Sequence, residues 1–207
     1  MAPLGDSLEP PPPTSLDVPF AEDFELQWLL SHIPASYAVK GMFLSRIALD
    51  LGDKWASASK DLLAPPKWGR YLPFSDYPMV DQARLAFIAA QIKCPSADPG
   101  DALRRCARED MRIFKDSTLG RITVAVVQGP AEALLAVPGA WRATVKGARF
   151  EARAEGPRRV VLTLFGLAGA WGYQVGQIEG ILMNYGVKPT ITCALVRPKV
   201  RTFDVAW

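Results

Sequence analysis

Gly147-Ala148-Arg149-Phe150-Glu151-Ala152-Arg153-Ala154, then Glu155-Gly156-Pro157, then Arg158-Arg159-Val160-Val161-Leu162-Thr163-Leu164-Phe165, is the stretch that decides the fold. Its first part puts Phe150, Ala152 and Ala154 on one side and Arg149, Glu151 and Arg153 on the other, the period of two expected of a half-buried strand. The tripeptide is a turn. The second part is β-branched and aromatic and apolar on both sides, which suits a central strand. Then the rhythm changes: Trp171, Val175, Ile178, Leu182 and Tyr185 recur at three and four residues, and Gly186 can supply a left-handed stop. This predicts a helix lying on the sheet. Thr190 to Val196 and Arg201 to Trp207 read as two further strands, the second alternating through Phe203, Val205 and Trp207.

Working back from this unit, helices are predicted before it. Val39 to Leu51 carries an apolar stripe that Gly52 ends, and Asp53 to Leu63 reads as a second short helix stopped by Pro65-Pro66. Val80 to Lys93 presents Leu85, Ile88, Ala89 and Ile92 on one face. The next helix begins near Pro99-Gly100-Asp101 and runs through Leu103, Ala107, Met111 and Phe114. Leu119 to Val127 is apolar enough for either a strand or a buried helix, and the helical neighbours favour the helix. Ala131 to Val137 is predicted as a helix ended by Pro138-Gly139. A first helix is expected from near Phe20 through Leu30, and the Pro-rich residues 1–19 form an expected disordered leader. The expectation is therefore an α+β fold: one domain over 20–207, with a helical half (20–146) packed on a sheet half (147–207) of order β-β-α-β-β.

Composition limits the function classes. The 207 residues include six Trp and nine Phe, enough to bury a core, and a formal charge of +3 with acids and bases interspersed gives no nucleic-acid footprint. Three cysteines, Cys94, Cys106 and Cys193, lie without paired spacing, which suits a reducing cytoplasm. No stretch resembles a signal peptide or reaches the ~18–20 apolar residues of a membrane span. His32 is the sole histidine, so neither a multi-histidine metal site nor a standard imidazole-based triad is expected. Gly166 to Gly180 is glycine-rich but lacks a phosphate-binding register, and a tight strand-to-helix turn explains it better.

Several short motifs carry a resemblance. Lys40-Gly41-Met42-Phe43-Leu44, Arg70-Tyr71 with Asp76-Tyr77-Pro78, Leu103 to Arg108 leading into Ser117 to Arg121, and Phe203-Asp204-Val205-Ala206-Trp207 resemble an uncharacterised myxobacterial paralogous family of roughly 200-residue proteins, over the chain from about Phe20 onward. That family is similar in layout to the superfamily of haem and nitric-oxide sensors, vinyl-reductase-type domains and TRAPP-type subunits, which implies helices followed by a β-β-α-β-β half. The chain departs from the haem sensors: it lacks their mid-chain axial histidine and their Tyr-x-Ser-x-Arg clamp, so no cofactor is expected.

Two readings of function follow, with no enzyme among them. The favoured one is a non-catalytic interaction or adaptor module, a homo-oligomer or the partner of another protein, presenting the aromatic loop residues Trp68, Tyr71, Phe74 and Tyr77. The alternative is a sensor that binds an apolar small molecule between the helical half and the sheet, with Trp141, Trp171 and Tyr173 as walls and Arg121 as a polar anchor. No catalytic or metal-ligating residue is assigned in either.

Overall fold

In the computed structural model, residues 26–66, 70–116, 120–121, 127–167 and 171–207 are described. A four-stranded antiparallel sheet of order β4-β5-β7-β6 contains β4 (Arg149–Gly156), β5 (Arg159–Phe165), β6 (Thr190–Arg197) and β7 (Val200–Ala206). As expected from its two apolar faces, β5 is internal: Val160 stands opposite Ala154 on one side and Val205 on the other. Val160, Leu162, Leu164, Phe203, Val205 and Ile191 form the inner face and are essentially fully buried. The outer face carries charge, and Arg159 clamps Asp204 with two hydrogen bonds of 2.9 and 2.5 Å.

Seven helices of the described residues accompany it: α1 (Leu26–His32), α2 (Gly41–Leu51), α3 (Trp55–Ala58), α4 (Met79–Lys93), α5 (Pro99–Asp116), α6 (Pro130–Thr144) and α7 (Trp171–Met183). Gly52 and Gly186, the predicted stops, have φ of 50° and 69°. The most intimate packing is α5 against α7. Gly172, Gly176 and Gly180 are spaced to share one side of α7, and a Cβ added to any of them would collide with Gly100, Arg104 or Arg108 of α5. The matching order of these pairs means that the two helices run parallel. The glycine-rich segment is thus a helix-contact surface, and not mainly the tight turn expected.

The pairing is fixed electrostatically by Arg104, whose guanidinium donates to both Glu179 oxygens at 3.0 and 2.5 Å. Both side chains are largely covered. Beneath the other end of α7, the buried guanidinium of Arg201 lies 4.0 Å from the Trp171 ring centroid.

The helical half also contains a small sheet that periodicity does not reveal. Its order is β2-β1-β3, from β1 (Ala38–Lys40), β2 (Asp76–Pro78) and β3 (Val145–Lys146), all antiparallel. Strands of two or three residues are too short to show alternation. Val39 therefore belongs to a strand, and the following helix begins at Gly41. Asp76 receives Lys40 at 2.7 Å and Lys146 at 2.5 Å, joining all three strands and holding its carboxyl below the ordinary range.

Two other expectations need correction. The helix expected over Asp53 to Leu63 is only α3 after a 3₁₀ turn at Gly52–Lys54; beyond it, the buried Asp81 carboxylate accepts from the Leu63 and Ala64 amides at 2.9 and 2.8 Å. That non-local bond sets a loop where local sequence suggests helix. Pro138 does not end α6, which continues to Thr144; burial of Leu134, Trp141 packing and the Thr144 Oγ1 bond to the Ala140 carbonyl outweigh the lost amide. The Leu119 to Val127 helix falls mostly outside the described residues, as does the Pro-rich leader; Gly120 and Arg121 are helical. No helix of the described residues is long and apolar enough to cross a membrane.

Candidate functional site

Between α6 and α7 lies a cavity of about 210 Å³. Its origin is local. Ala133, Ala136, Ala140 and Ala143 share one side of α6 at helical spacing, and their side chains are too short to reach α7. Instead α6 is fastened to β4: Trp141 meets Phe150 edge-on with centroids 4.8 Å apart and donates its indole N–H to the Ala148 carbonyl at 3.0 Å. The opposite wall is α7, through Tyr173, Gln174, Gln177, Ile178 and Ile181. Val39, Phe43 and Met79 close the inner end, and Met111, Lys115, Asn184 and Tyr185 stand at the C-terminal end of α7.

Tyr173 connects this cavity to a buried polar cluster. Its hydroxyl accepts from Gln82 at 3.2 Å and donates to Asp110 at 3.4 Å. Burial, then the neighbouring Asp50 charge, pushes the Asp110 carboxyl up to about 6, while Lys93, Arg46 and the Tyr173 hydrogen bond pull the other way. Tyr173 itself is held well above the ordinary phenol range, chiefly by burial and then by Asp110. Burial likewise raises the Cys106 thiol to about 11, which makes it a poor nucleophile.

The structure thus brings together two of the four candidate pocket residues, Trp141 and Tyr173. Trp171 is instead buried at 2% exposure with its ring against the Arg201 guanidinium, and Arg121 is exposed; neither is among the described lining residues. Of the candidate interaction residues, Tyr71 and Tyr77 are buried and in edge contact at 4.8 Å, Phe74 is 78% exposed, and Trp68 lies outside the described residues. Sequence reading passed over Gln82, Lys115, Gln174 and the α6 alanines. The alanine spacing is the available signal, because short side chains at 133, 136, 140 and 143 leave that part of the helix without the bulk to fill the space against a neighbour.

Among solved structures the chain is similar to H-NOX proteins. One, an S. oneidensis H-NOX mutant in its Fe(II) state, gives a TM-score of 0.61 at 10% identity, covering 81% of this chain and 95% of that one. An oxygen-binding H-NOX domain related to soluble guanylate cyclases gives 0.60 at 13% identity, over 80% and 92%. A structure concerned with haem redox potential and porphyrin distortion gives 0.60 at 13% identity, over 81% and 99%. At these identities the likeness is one of fold. No curated protein matches the chain.

The residues present do not fit a haem. No histidine or cysteine is among the described residues lining the cavity, and His32 stands at the end of α1 within 3.1 Å of the Ser31 hydroxyl. Tyr173, the lining phenol nearest the core, already uses its hydroxyl in both directions. The volume is also below the ~300–1,000 Å³ typical of pockets for much smaller drug-sized ligands. Among the described residues no cluster of histidine, cysteine and carboxylate side chains could hold a metal ion.

A family model matches residues 33–207, from just after α1 to the end of the chain, and the protein therefore belongs to the family described as "Protein of unknown function (DUF2378)".

Proposed function

We propose that this domain is a non-catalytic sensor that holds a small, mainly apolar molecule between α6 and α7. The cavity carries this reading: its walls are mostly alanine, aliphatic and aromatic, Gln82 donates to Tyr173, and Thr144 donates to a backbone carbonyl, which leaves the buried Gln174 Oε1 as an acceptor without a partner among the described residues. A void of ~150 Å³ with such walls is enough for a single aromatic ring, so about 210 Å³ suits a somewhat larger molecule. Similarity of fold to H-NOX proteins supports a ligand-holding role without naming the ligand. Among the described aromatics of the 67–79 loop, an adaptor role would have only Phe74 exposed to a partner.

The test is native mass spectrometry of protein purified under non-denaturing conditions from its own cells, followed by solvent extraction. The expected result is an added mass that disappears on unfolding and an organic molecule in the extract. Protein that is bare, and that takes up no small hydrophobic compound from a panel in equilibrium dialysis, would refute the sensor reading.

A further inference from the structure

The geometry points to a ligand of one chemical class: an unbranched carboxylic acid, its chain along α7 and its carboxylate at Lys115. This deepens the sensor reading and rests on it. Three observations carry it. First, the cavity is elongated: the α7 wall extends from Tyr173 to Ile181, about 12 Å at the α-helical rise, with Asn184 and Tyr185 beyond. Second, polarity is unequal along that length. At the inner end Tyr173 and Gln82 are committed to each other and to Asp110, and Thr144 and Trp141 to backbone carbonyls, while the buried Gln174 Oε1, which has no partner among the described residues, can only accept and so offers nothing to a carboxylate. Third, Lys115 is the one charged side chain among the described lining residues. The parallel register of α5 and α7, with Gly100, Arg104 and Arg108 against Gly172, Gly176 and Gly180, carries Lys115 to the C-terminal end of α7. A cation ending an apolar slot is complementary to an anion on an apolar chain.

Lys115 also stands in the last turn of α5, where a cation offsets the helix dipole. The experiment separates the two roles. Equilibrium dialysis of the full chain is run with decanoate and with 1-decanol, for the wild type, Lys115→Met and Lys115→Arg, with the thermal midpoint of each recorded. The expected result is that wild type binds decanoate at least about fivefold more tightly than decanol, that Lys115→Met removes this preference while leaving decanol affinity unchanged, and that Lys115→Arg keeps it. Equal affinity for the two compounds, or a decanoate affinity that Lys115→Met leaves unchanged, overturns the assignment and leaves the sensor reading standing. Failure of both compounds to bind overturns the assignment, and the dialysis panel described above then decides the sensor reading separately.

Discussion

Gly176 of α7 lies against the backbone carbonyl of Arg104 in α5, so closely that a methyl group on Gly176 would overlap it. Backbone cannot swing aside as a side chain can, so the helices must part. Gly176→Ala gains ~1 kcal/mol in helix propensity and is nevertheless expected to be destabilised by about 2–3 kcal/mol net, because overpacking at this seam also disturbs Gly172 and Gly180. Urea unfolding measures the change. A variant as stable as wild type would show that the close approach is not required.

One turn away, Glu179 holds Arg104 through two hydrogen bonds and stands 3.7 Å from Arg108. Removing the carboxylate strands a largely covered guanidinium, so Glu179→Ala is expected to cost about 3 kcal/mol. The double substitution Arg104→Met with Glu179→Met removes both charges and fills the same space. It is expected to recover most of that loss, and a double-mutant cycle in urea checks it. Recovery would mean that the pair sets the register of α5 on α7 more than it stabilises the fold.

Legibility in the sequence followed range. The C-terminal unit could be read because the alternation around Phe150 in β4, the apolar run of β5 and the helical rhythm of Trp171, Val175 and Ile178 are local signals of burial that the fold keeps. The small sheet could not, since Lys40 and Asp76 are 36 residues apart and each strand has at most three residues. The motifs Lys40-Gly41 and Asp76-Tyr77-Pro78, which carry the family resemblance, share a physical task in the structure. Lys40 pairs with Asp76, while Gly41 lies where a side chain would strike Tyr77 and the Leu72 carbonyl. The cavity was half legible: aromatic walls such as Trp141 stand out, whereas a row of α6 alanines reads as ordinary helix until its neighbour is known.

Asp110 predicts a pH dependence. Its folded value of about 6 lies above the ordinary carboxyl value of 3.8, so the folded state holds this proton after the unfolded chain has released it. The resulting stabilisation is fully present below about pH 4 and is lost as pH rises through about 6, a decline of about 2–3 kcal/mol. Asp110→Asn keeps the shape without the titration. The difference between the stability–pH curves of wild type and variant is expected to fall in that window, and a flat difference curve would place Asp110 in a more solvated setting than its burial indicates.

Filling the gap between α6 and α7 tests whether the cavity is a site or a packing defect. Ala136 lines it from α6, and leucine there adds branched apolar volume without introducing a polar group. If the void is merely unfilled, Ala136→Leu should raise stability by up to about 1 kcal/mol, since the new methyl groups gain contacts that the wild type lacks. If the void holds a ligand, the same variant should also lose at least about tenfold in affinity for whichever compound the wild type binds, because the added side chain occupies the slot that the chain of the ligand needs. Thermal unfolding with and without that compound reads both effects at once. The sensor reading expects the ligand-dependent rise in midpoint to vanish in Ala136→Leu while the ligand-free midpoint stays level or climbs. A midpoint rise that survives the substitution would locate binding elsewhere on the protein.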